Sequence, residues 1–230
     1  MKKIYKRTKK EMKIIKDFLE EIFYSVGRRR KMLNKQQAYW INPHDKPNKP
    51  EAYVKKELEV RSNFLFNLMR KYIFIHRKNA ILEIGCNAGR NLNYLYQHGF
   101  VKLSGIEINP SAIDLMKKVY PDMYKNSNIT LGSLESTIPL IKDNAYNVTI
   151  SMAVLMHLPY DSNFIFKQIA RITKDYIITI ENERPEILCK THFPRDYQKI
   201  FGELGFFEID SGKCKVKDLE TYTWRIFKKK

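Results

Sequence analysis

Apolar residues in the first third of the chain follow the spacing of amphipathic helices. One helix is predicted over about Lys9–Val26 and a second over about Glu51–Tyr72, because their apolar residues recur every three or four positions. Between them Pro43, Pro47 and Pro50 rule out a continuous helix. The apolar stripe of the first helix consists of Ile15, Phe18, Leu19, Ile22 and Val26, and that of the second of Leu58, Leu65, Leu68 and Met69.

After His76 the pattern changes, and short apolar runs alternate with helical stretches. This alternation predicts an α/β fold with a mostly parallel sheet covered on both faces. The last two strands are expected to form an antiparallel pair at the sheet edge. The predicted strands are Ala80–Ile84, Val101–Ile106, Asn128–Leu131, Tyr146–Ser151, Tyr176–Ile180, Phe206–Ile209 and Thr221–Phe227, and the predicted helices are Arg90–His98, Ser111–Val119, Asn163–Ile172 and Tyr197–Leu204.

The segment AILEIGCNAGRNLNYL carries the first chemical signal. Its strand ends near Glu83 and turns through Gly85, Asn87 and Gly89 into a helix. Glycines at such a turn let a ligand approach the backbone closely. The carboxylate of Glu83 would repel a pyrophosphate, so a dinucleotide is disfavoured. It suits a ligand with cationic groups, such as the ammonium and sulfonium of S-adenosylmethionine.

A second carboxylate stands at the end of the next predicted strand. Glu107, in LSGIEINPSAI, follows Glu83 by 24 residues. From that place an acidic side chain can accept hydrogen bonds from both hydroxyls of a ribose. Asn109 and Pro110 then suit the N-cap and first residue of a helix. Two carboxylates at corresponding strand ends together predict a nucleoside-containing cofactor.

Residues 80–180 resemble the class I S-adenosylmethionine-dependent methyltransferases, and the tail through residue 230 fits the reversed final hairpin of that family. The resemblance rests on LEIGCNAGRN, GIEINP, ITLGSLESTIP and YNVTISMAVLMHLP. It implies a Rossmann-like methyltransferase sheet, S-adenosylmethionine as cofactor and S-adenosylhomocysteine as product. The implied cofactor residues are Glu83, Gly85, Cys86, Asn87 and Gly89 at the amino-acid part, Glu107 at the ribose, Ile108, Ser133 and Leu134 at the adenine, and Ser151 and Met152 near the methionine moiety.

The chain departs from the family pattern at two positions. The middle glycine of the loop is Asn87, which tolerates left-handed backbone better than most residues, so we expect the turn to survive. The acidic residue that often follows the third-strand glycine is Ser133. Adenine selectivity is then expected to rest on backbone groups or on Glu135.

His157, just past the fourth predicted strand, is the first candidate for a catalytic base. Methyl transfer is an in-line displacement that requires alignment and exclusion of water, and an alcohol acceptor also needs a base. The alternative is that His157 caps the turn and packs. Glu181 and Glu183, which end the fifth strand, are further candidates for a base or an amine-binding group, or are simply solvated acids.

Substrate contacts are predicted on both sides of this site. His192, Arg195 and Tyr197 follow the fifth strand and should overhang the pocket, with Arg195 suited to a phosphate or carboxylate. Tyr197 would alternatively begin the apolar face of the last helix. In the N-terminal third, the candidates that close over cofactor or substrate are Tyr39, Trp40, Tyr53 and Arg61. For Trp40 the alternative is plain packing within this cover.

The formal net charge of +17 is concentrated near the N-terminus. Residues 1–78 hold 22 lysines and arginines against 8 acidic residues, with Arg28–Lys31 as the densest run. Such a field attracts nucleic acid, anionic lipid or a phosphate-bearing substrate, or else it is a solvated basic face. The three scattered cysteines lack the spacing of a metal site or disulfide framework, and no apolar run could span a bilayer. We therefore expect a cytoplasmic protein without a metal and without membrane insertion.

These observations predict a basic helical lid in residues 1–78 and a catalytic domain in residues 79–230. The expected reaction is methylation, on oxygen rather than nitrogen, of a small anionic acceptor that is phosphorylated, phosphoramidate-bearing or nucleotide-linked. The segment YWINPHDKPNKPEAY resembles bacterial methyltransferases of surface-glycan and related small-molecule pathways, which makes polysaccharide biosynthesis a candidate setting.

Two alternative functions are kept, and the oligomeric state is open. An RNA methyltransferase would explain the basic residues, although no NPPY-type or DPPY-type motif follows the fourth strand. A non-catalytic binding protein of the same fold is the second alternative. The intact Glu83, Gly85, Gly89 and Glu107 argue against it.

Overall fold

The computed structural model describes residues 32–73, 76–183 and 191–230. The helix predicted over Lys9–Val26 and the basic run Arg28–Lys31 lie outside the described residues. Ahead of the sheet the described chain forms helix α1 (residues 32–41), three short 3-10 turns and helix α2 (Glu59–Tyr72). The three turns are Lys46–Asn48, Pro50–Ala52 and Lys56–Leu58.

Helix α2 begins later than the apolar spacing predicts, at Glu59 rather than Glu51. Lys55 has an extended backbone, which interrupts the helical path, and the amide of Leu58 bonds to the carbonyl of Lys55 as in a 3-10 turn. The predicted boundary was therefore wrong, and Leu58 of the predicted stripe lies ahead of the helix, whereas Leu65, Leu68 and Met69 are buried within it. The buried side chains of α2 are Ser62, Leu65, Leu68 and Met69.

Seven strands form one sheet in the order β3-β2-β1-β4-β5-β7-β6. The first five pair in parallel, and β7 lies antiparallel to both β5 and β6. This Rossmann-like arrangement confirms the predicted parallel sheet with a reversed final hairpin. The strands are β1 (Ile81–Ile84), β2 (Leu103–Glu107), β3 (Asn128–Leu131), β4 (Tyr146–Met152), β5 (Thr173–Glu181), β6 (Phe206–Lys213) and β7 (Thr223–Lys229).

Helices cover the sheet, and the four that the sequence predicts begin close to their predicted positions, whereas two further short helices, Pro121–Lys125 and Leu134–Thr137, were not predicted. The side chain of Asn109 accepts hydrogen bonds from the amides of Ser111 and Ala112, as expected of an N-cap. The helices after β1 are α3 (Arg90–Gln97), α4 (Pro110–Val119), α5 (Pro121–Lys125), α6 (Leu134–Thr137), α7 (Phe164–Ile172) and α8 (Tyr197–Glu203), with 3-10 turns at Ile138–Leu140, Leu155–His157 and Tyr160–Ser162.

The sheet is buried on both faces. Ile81 packs into the cluster that includes the buried side chains of α2 and α3, whereas Leu82 and Ile84 pack into the cluster with those of α7 and α8. Burial on both faces explains why the central strands are continuously apolar in sequence. It also leaves the strand ends as the place where polar side chains can meet.

Within the described residues the structure contains neither a membrane-spanning helix nor a candidate metal site. No helix there is both long and apolar enough to cross a bilayer. In the same ranges, no three histidine, cysteine or acidic side chains form a group that could hold a metal ion.

Candidate active site

A cavity of about 1230 Å³, including its open mouth, lies at the carboxyl ends of β1, β2 and β4. The segment of residues 32–58, which we call the lid, covers it. In open α/β sheets this edge, where the chain leaves neighbouring strands in opposite directions, is the usual ligand site. The lid residues that line the cavity are Leu33, Gln36, Gln37, Trp40, Pro43, Asn48 and Tyr53.

The loop between β1 and α3 allows a ligand to approach the backbone. Gly85 has a φ of 64°, and a Cβ at this position would lie 2.5 Å from Cγ2 of Val154. Asn87 adopts the left-handed conformation expected of it, with a φ of 48°, and Gly89, with a φ of 79°, forms the N-cap of α3. The loop therefore keeps its sharp turn although asparagine replaces the middle glycine.

Glu83 presents a buried carboxylate to the cavity. Its Oε1 accepts a hydrogen bond of 2.6 Å from Nδ2 of Asn91, and its Oε2 is buried with no hydrogen-bond partner among the described residues. Burial raises the pKa of Glu83 to about 7, against the lowering effects of the Asn91 bond and the Arg90 guanidinium. A buried oxygen without a donor is costly. The site therefore fits the ammonium of an amino acid such as that in S-adenosylmethionine.

Glu107 stands beside it at the end of β2. Its Oε2 accepts the N–H of Asn87 at 2.7 Å, and its Oε1 accepts the N–H of Asn109 at 2.8 Å. Burial raises the pKa of Glu107, while these backbone bonds oppose the rise. Each oxygen keeps a lone pair, which fits two ribose hydroxyls. The other implied cofactor residues that line the cavity are Gly85, Cys86, Asn87, Ile108, Ser133, Leu134 and Met152.

Glu135 connects the lid to the sheet side of the cavity. One of its oxygens accepts a hydrogen bond of 3.0 Å from Nε2 of Gln37 in α1, and the other accepts one of 2.6 Å from Oγ of Ser162. Ser133, two residues earlier, is the N-cap of α6 and accepts from the amide of Ser136. That Glu135 selects adenine stays a prediction.

His157 lines the cavity with a defined tautomer. Its Nδ1 lies 2.8 Å from the carbonyl oxygen of Thr191, which can only accept, so Nδ1 carries the proton and Nε2 is a free base. Burial lowers the pKa of His157 to about 4, so the ring is neutral at neutral pH. The ring packs against Trp40, at a centroid distance of 4.6 Å, and against His192, at 4.9 Å. His192 is thus beside the site but does not line the cavity.

The lid brings Trp40 and Tyr53 to the cavity but not Tyr39. The Nε1 of Trp40 is buried without a hydrogen-bond partner in the described ranges. Tyr39 packs edge-on against Trp40, and its hydroxyl donates a bond of 2.8 Å to Asp45 within the lid. Tyr39 therefore supports the lid from outside the cavity.

Two arginines line the cavity and differ in how their donors are used. The Nη2 of Arg61 lies 3.1 Å from Oδ2 of Asp218, and its Nε is buried with no partner among the residues described. Arg90 donates from Nε to Oγ of Ser62 and from Nη1 to the carbonyl of Tyr53, at 3.1 and 3.4 Å. Arg90 therefore joins the lid to α2 and α3, whereas Arg61 retains a donor.

Arg195 and Tyr197 do not line the cavity, which corrects the expectation that they bind substrate. Five hydrogen bonds occupy the guanidinium of Arg195 and leave no donor for an anion. Tyr197 is fully buried, begins α8 and packs against Phe166. The partners of Arg195 are the carbonyls of Leu155, Phe193 and Pro159 and the side chain of Asn163.

The remaining candidates lie outside the cavity as well. Ser151 donates a 2.6 Å hydrogen bond to Glu181, and both are buried. Glu183 forms a two-bond ion pair with Arg225 at 2.6 and 2.9 Å. Glu181 and Glu183 are therefore neither solvated acids nor bases that could reach an acceptor. Gly89 is needed for its backbone, not for contact with a ligand.

Arg90 and Asn91 are site residues that the sequence reasoning missed. Both lie in the first turn of α3 and line the cavity beside Glu83. The sequence carries a signal for them, because these two polar residues follow directly on the loop that leaves the strand of Glu83. Their role is to act on the carboxylate of Glu83, which Asn91 bonds at 2.6 Å and whose pKa Arg90 lowers.

Comparison with known proteins agrees with this geometry. A family model described as a methyltransferase domain matches residues 82–176. A comparison of the sequence with curated proteins finds no significant match.

Solved structures share the fold at low sequence identity. Magnesium protoporphyrin IX methyltransferase from Synechocystis PCC 6803, with bound SAH, is 12% identical with a TM-score of 0.62, covering 86% of this chain and 94% of that one. Geranyl diphosphate C-methyltransferase from Streptomyces coelicolor A3(2) is 12% identical with a TM-score of 0.61, covering 84% and 88%. The [4+2]-cyclase SpnF is 10% identical with a TM-score of 0.58, covering 73% and 81%.

At these identities the structures establish the fold, and the family model assigns the segment that holds the loop, Glu83 and Glu107. The buried Oε2 of Glu83 and the free lone pairs of Glu107 fit the amino-acid and ribose parts of the cofactor. Residues 82–176 therefore match a methyltransferase domain, on a Rossmann-like fold whose cavity fits S-adenosylmethionine.

Proposed function

We propose that the chain methylates a hydroxyl group of a small anionic acceptor, with His157 as the base. One observation carries the choice of oxygen: a neutral histidine whose Nε2 carries no proton lines the same cavity as Glu83 and Glu107. A hydroxyl needs a base as it attacks, whereas an amine can be deprotonated beforehand. The scattered cysteines favour a reducing cytoplasm as the place of the reaction.

S-adenosylmethionine, when bound, supplies a methyl group activated by the positive charge of its sulfonium. Glu83 would hold its ammonium, Glu107 its ribose, and Ile108, Ser133 and Leu134 its adenine. Met152 and the backbone of Gly85 line the intervening part of the cavity. In this role the residues of the chain fix one reactant, so that only the acceptor has to be aligned.

The protein's task in the transfer is to take a proton and to keep water out. His157 would receive the acceptor's proton on Nε2 while its Nδ1 still donates to the Thr191 carbonyl, which stabilises the charged ring. Trp40 covers this ring from the lid side. Water is thereby kept from the position where the methyl group is transferred.

The position of Arg61 is the reason to propose an anionic acceptor. Arg61 lines the cavity, and its buried Nε has no partner among the described residues, so a phosphate or carboxylate would satisfy it. The geranyl diphosphate C-methyltransferase of the same fold acts on a diphosphate according to its name. The lid resemblance favours surface polysaccharide biosynthesis as the setting.

The alternatives differ in the partner they require. The 22 basic residues of positions 1–78 favour RNA as a second candidate acceptor. The cyclase SpnF has the same fold under another activity, so the fold alone does not exclude a chain without methyl transfer.

Transfer of tritium from methyl-labelled S-adenosylmethionine tests all three. We expect label in the dialysable fraction of a cell extract, retained on an anion exchanger, and released from it after phosphatase treatment. Label in purified RNA would support the RNA alternative, and no label in either fraction would support the non-catalytic one. A neutral product would overturn the anionic acceptor.

His157→Asn isolates the base, because asparagine can still donate to the Thr191 carbonyl but has no Nε2. We expect a loss of roughly 100- to 10,000-fold in transfer rate with unchanged binding of S-adenosylhomocysteine. His44→Asn, at an exposed lid position, is the matched control and should keep the wild-type rate. Equal rates in the two variants would remove His157 from the mechanism.

A further inference from the structure

Glu181 is a fully buried carboxylate that the reaction as described does not use. It ends β5, beside the carboxyl end of β4, and does not line the cavity. Its side chain points across to the loop of residues 153–157, which follows β4 and ends at His157. A buried charge is retained only where its surroundings satisfy it.

Backbone amides and one hydroxyl satisfy this charge. Glu181 accepts from Oγ of Ser151 at 2.6 Å and from the amides of Val154, Leu155 and Met156 at 3.1 to 3.2 Å. These are the free amides at the start of the 3-10 turn Leu155–His157, which has no side-chain cap of its own. Glu181, from a neighbouring strand, thus accepts the hydrogen bonds that an N-cap side chain would otherwise accept at the start of this turn.

The loop that Glu181 holds is strained and tightly packed. Ala153 has a φ of 59°, a left-handed conformation that is strained in a residue other than glycine and persists only where its surroundings enforce it. Val154 lies against Gly85, so closely that a Cβ on that glycine would be 2.5 Å away. A shift of this loop would therefore move both the cofactor loop and His157.

We propose that Glu181 is a positioning residue for methyl transfer, which anchors residues 153–157 so that Val154 packs on the cofactor loop and His157 faces the cavity. This role of Glu181 deepens the proposed function. It rests on that function only in so far as His157 is the base. Glu181 acts through the backbone and touches neither reactant.

A carboxylate suits this position better than an amide, because it only accepts hydrogen bonds. In Glu181→Gln an NH₂ group replaces one oxygen and faces backbone amides that also donate, so at least one bond is lost. Burial raises the pKa of Glu181 to about 7, opposed by the bonds from Ser151 and the loop. The other titratable groups whose charge acts on it are Arg195, Tyr197 and Tyr222.

The test uses the full chain and needs no acceptor. The ring of His157 is titrated by nitrogen NMR, with His157→Asn to assign its signals, and S-adenosylhomocysteine binding is measured by calorimetry. Asp175→Asn is the matched control, because Asp175 is a carboxylate on the same strand that bonds to Asn147 of β4, at 2.7 Å, at the end remote from the cavity.

In Glu181→Gln we expect the His157 pKa to rise from about 4 towards its ordinary value of 6.5, as the loop loosens and water reaches the ring. S-adenosylhomocysteine should bind roughly tenfold more weakly, the effect of about one hydrogen bond. In Asp175→Asn both quantities should stay at the wild-type values. An unchanged His157 titration in folded Glu181→Gln would overturn the proposal.

Ser151→Ala covers the case in which Glu181→Gln does not fold. It removes one donor to the carboxylate, and a smaller rise in the His157 pKa is expected. A wild-type titration curve in that variant would count against the anchor. Failure of the proposed function looks different, because methyl transfer would then be absent in the wild type while the His157 titration still responds to Glu181.

Discussion

The two sides of the cavity are held together by different kinds of interaction. On the sheet side, Glu83 and Glu107 sit at strand ends, and backbone amides bond to Glu107 at 2.7 and 2.8 Å. On the lid side, single side-chain bonds such as Gln37 to Glu135 and Arg90 to the carbonyl of Tyr53 make the connection, at 3.0 and 3.4 Å. A single side-chain hydrogen bond of this kind contributes about 1 kcal/mol net. The cofactor side is therefore fixed by the fold, whereas the acceptor side depends on a few replaceable contacts.

The largest effect is expected from Gly85→Ala on the sheet side. The new Cβ would meet Val154 at 2.5 Å and the φ of 64° would be strained, so the free energy of unfolding should fall by about 2–4 kcal/mol and cofactor binding should be lost. Urea unfolding measures the change.

Two other glycines separate strain from collision. Gly205 has a φ of 88° with open space at its Cβ, so Gly205→Ala should cost about 1 kcal/mol. Gly202 lies in α8 with open space, so Gly202→Ala should be neutral or stabilising by up to about 1 kcal/mol. If Gly85→Ala lowers the free energy of unfolding by no more than Gly205→Ala does, close packing of the cofactor loop against Val154 does not stabilise the sheet side of the cavity.

Glu83→Gln should weaken binding of S-adenosylhomocysteine by roughly 10- to 100-fold, because the ammonium loses a charged partner. The ligand 5′-methylthioadenosine lacks the amino-acid part and serves as the control, with an affinity that should not change. Calorimetry with both ligands gives the comparison. A similar loss for both would mean that Glu83 supports the loop rather than binding the ammonium.

Proton release on binding should follow from the raised pKa of Glu83. Its pKa is about 7 in the free protein against an ordinary value of 4.5, and an ammonium favours the ionised form. S-adenosylhomocysteine should therefore bind more weakly at about pH 6 than at about pH 8, with release of a proton at the lower pH. Calorimetry in buffers of different ionisation enthalpy measures this release. An affinity independent of pH would contradict the assignment.

The raised pKa of Glu83 also affects the stability of the free protein, which should decrease as the pH rises, whereas ligand binding should become stronger. The stability that Glu83 contributes to the free protein is fully present below pH 4.5 and is lost as the pH rises through about 7. Glu181, with a pKa also raised to about 7, acts in the same direction. Denaturant unfolding without ligand across this pH range would register their combined effect.

The smallest effect is expected on the lid side. Gln37→Ala removes one hydrogen bond to Glu135, so binding of S-adenosylhomocysteine should weaken by no more than about tenfold and the free energy of unfolding should change by about 1 kcal/mol or less. Lys35→Ala, at an exposed position of the same helix, is the control. If Gln37→Ala weakened binding of S-adenosylhomocysteine as much as Glu83→Gln does, the two sides of the cavity would not differ in the way proposed.

The sequence predicts the sheet side well because its determinants are local. Glu83 and Glu107 end strands whose apolar runs are unambiguous, and Asn87 occupies a turn that few residue types tolerate. A pattern of strand, turn and helix is enough to bring such residues to one edge of a parallel sheet.

Arg195 and Glu181 mark what the sequence did not predict. Both stand in segments that the topology brings near the cavity, but side-chain bonds to distant carbonyls and amides turn them into structural residues. Such bonds depend on tertiary packing and leave no periodic signal in the sequence. The start of α2 was missed for a related reason, since Lys55 is extended where propensity alone would continue the helix.

The most direct test of the central claim is calorimetric titration of the purified chain with S-adenosylhomocysteine, with NAD and with a Glu107→Ala variant as controls. The site described here predicts binding on the order of micromolar, about −8 kcal/mol, that is lost in the variant and absent with NAD. A folded wild-type chain that does not bind S-adenosylhomocysteine would contradict the assignment of the cavity.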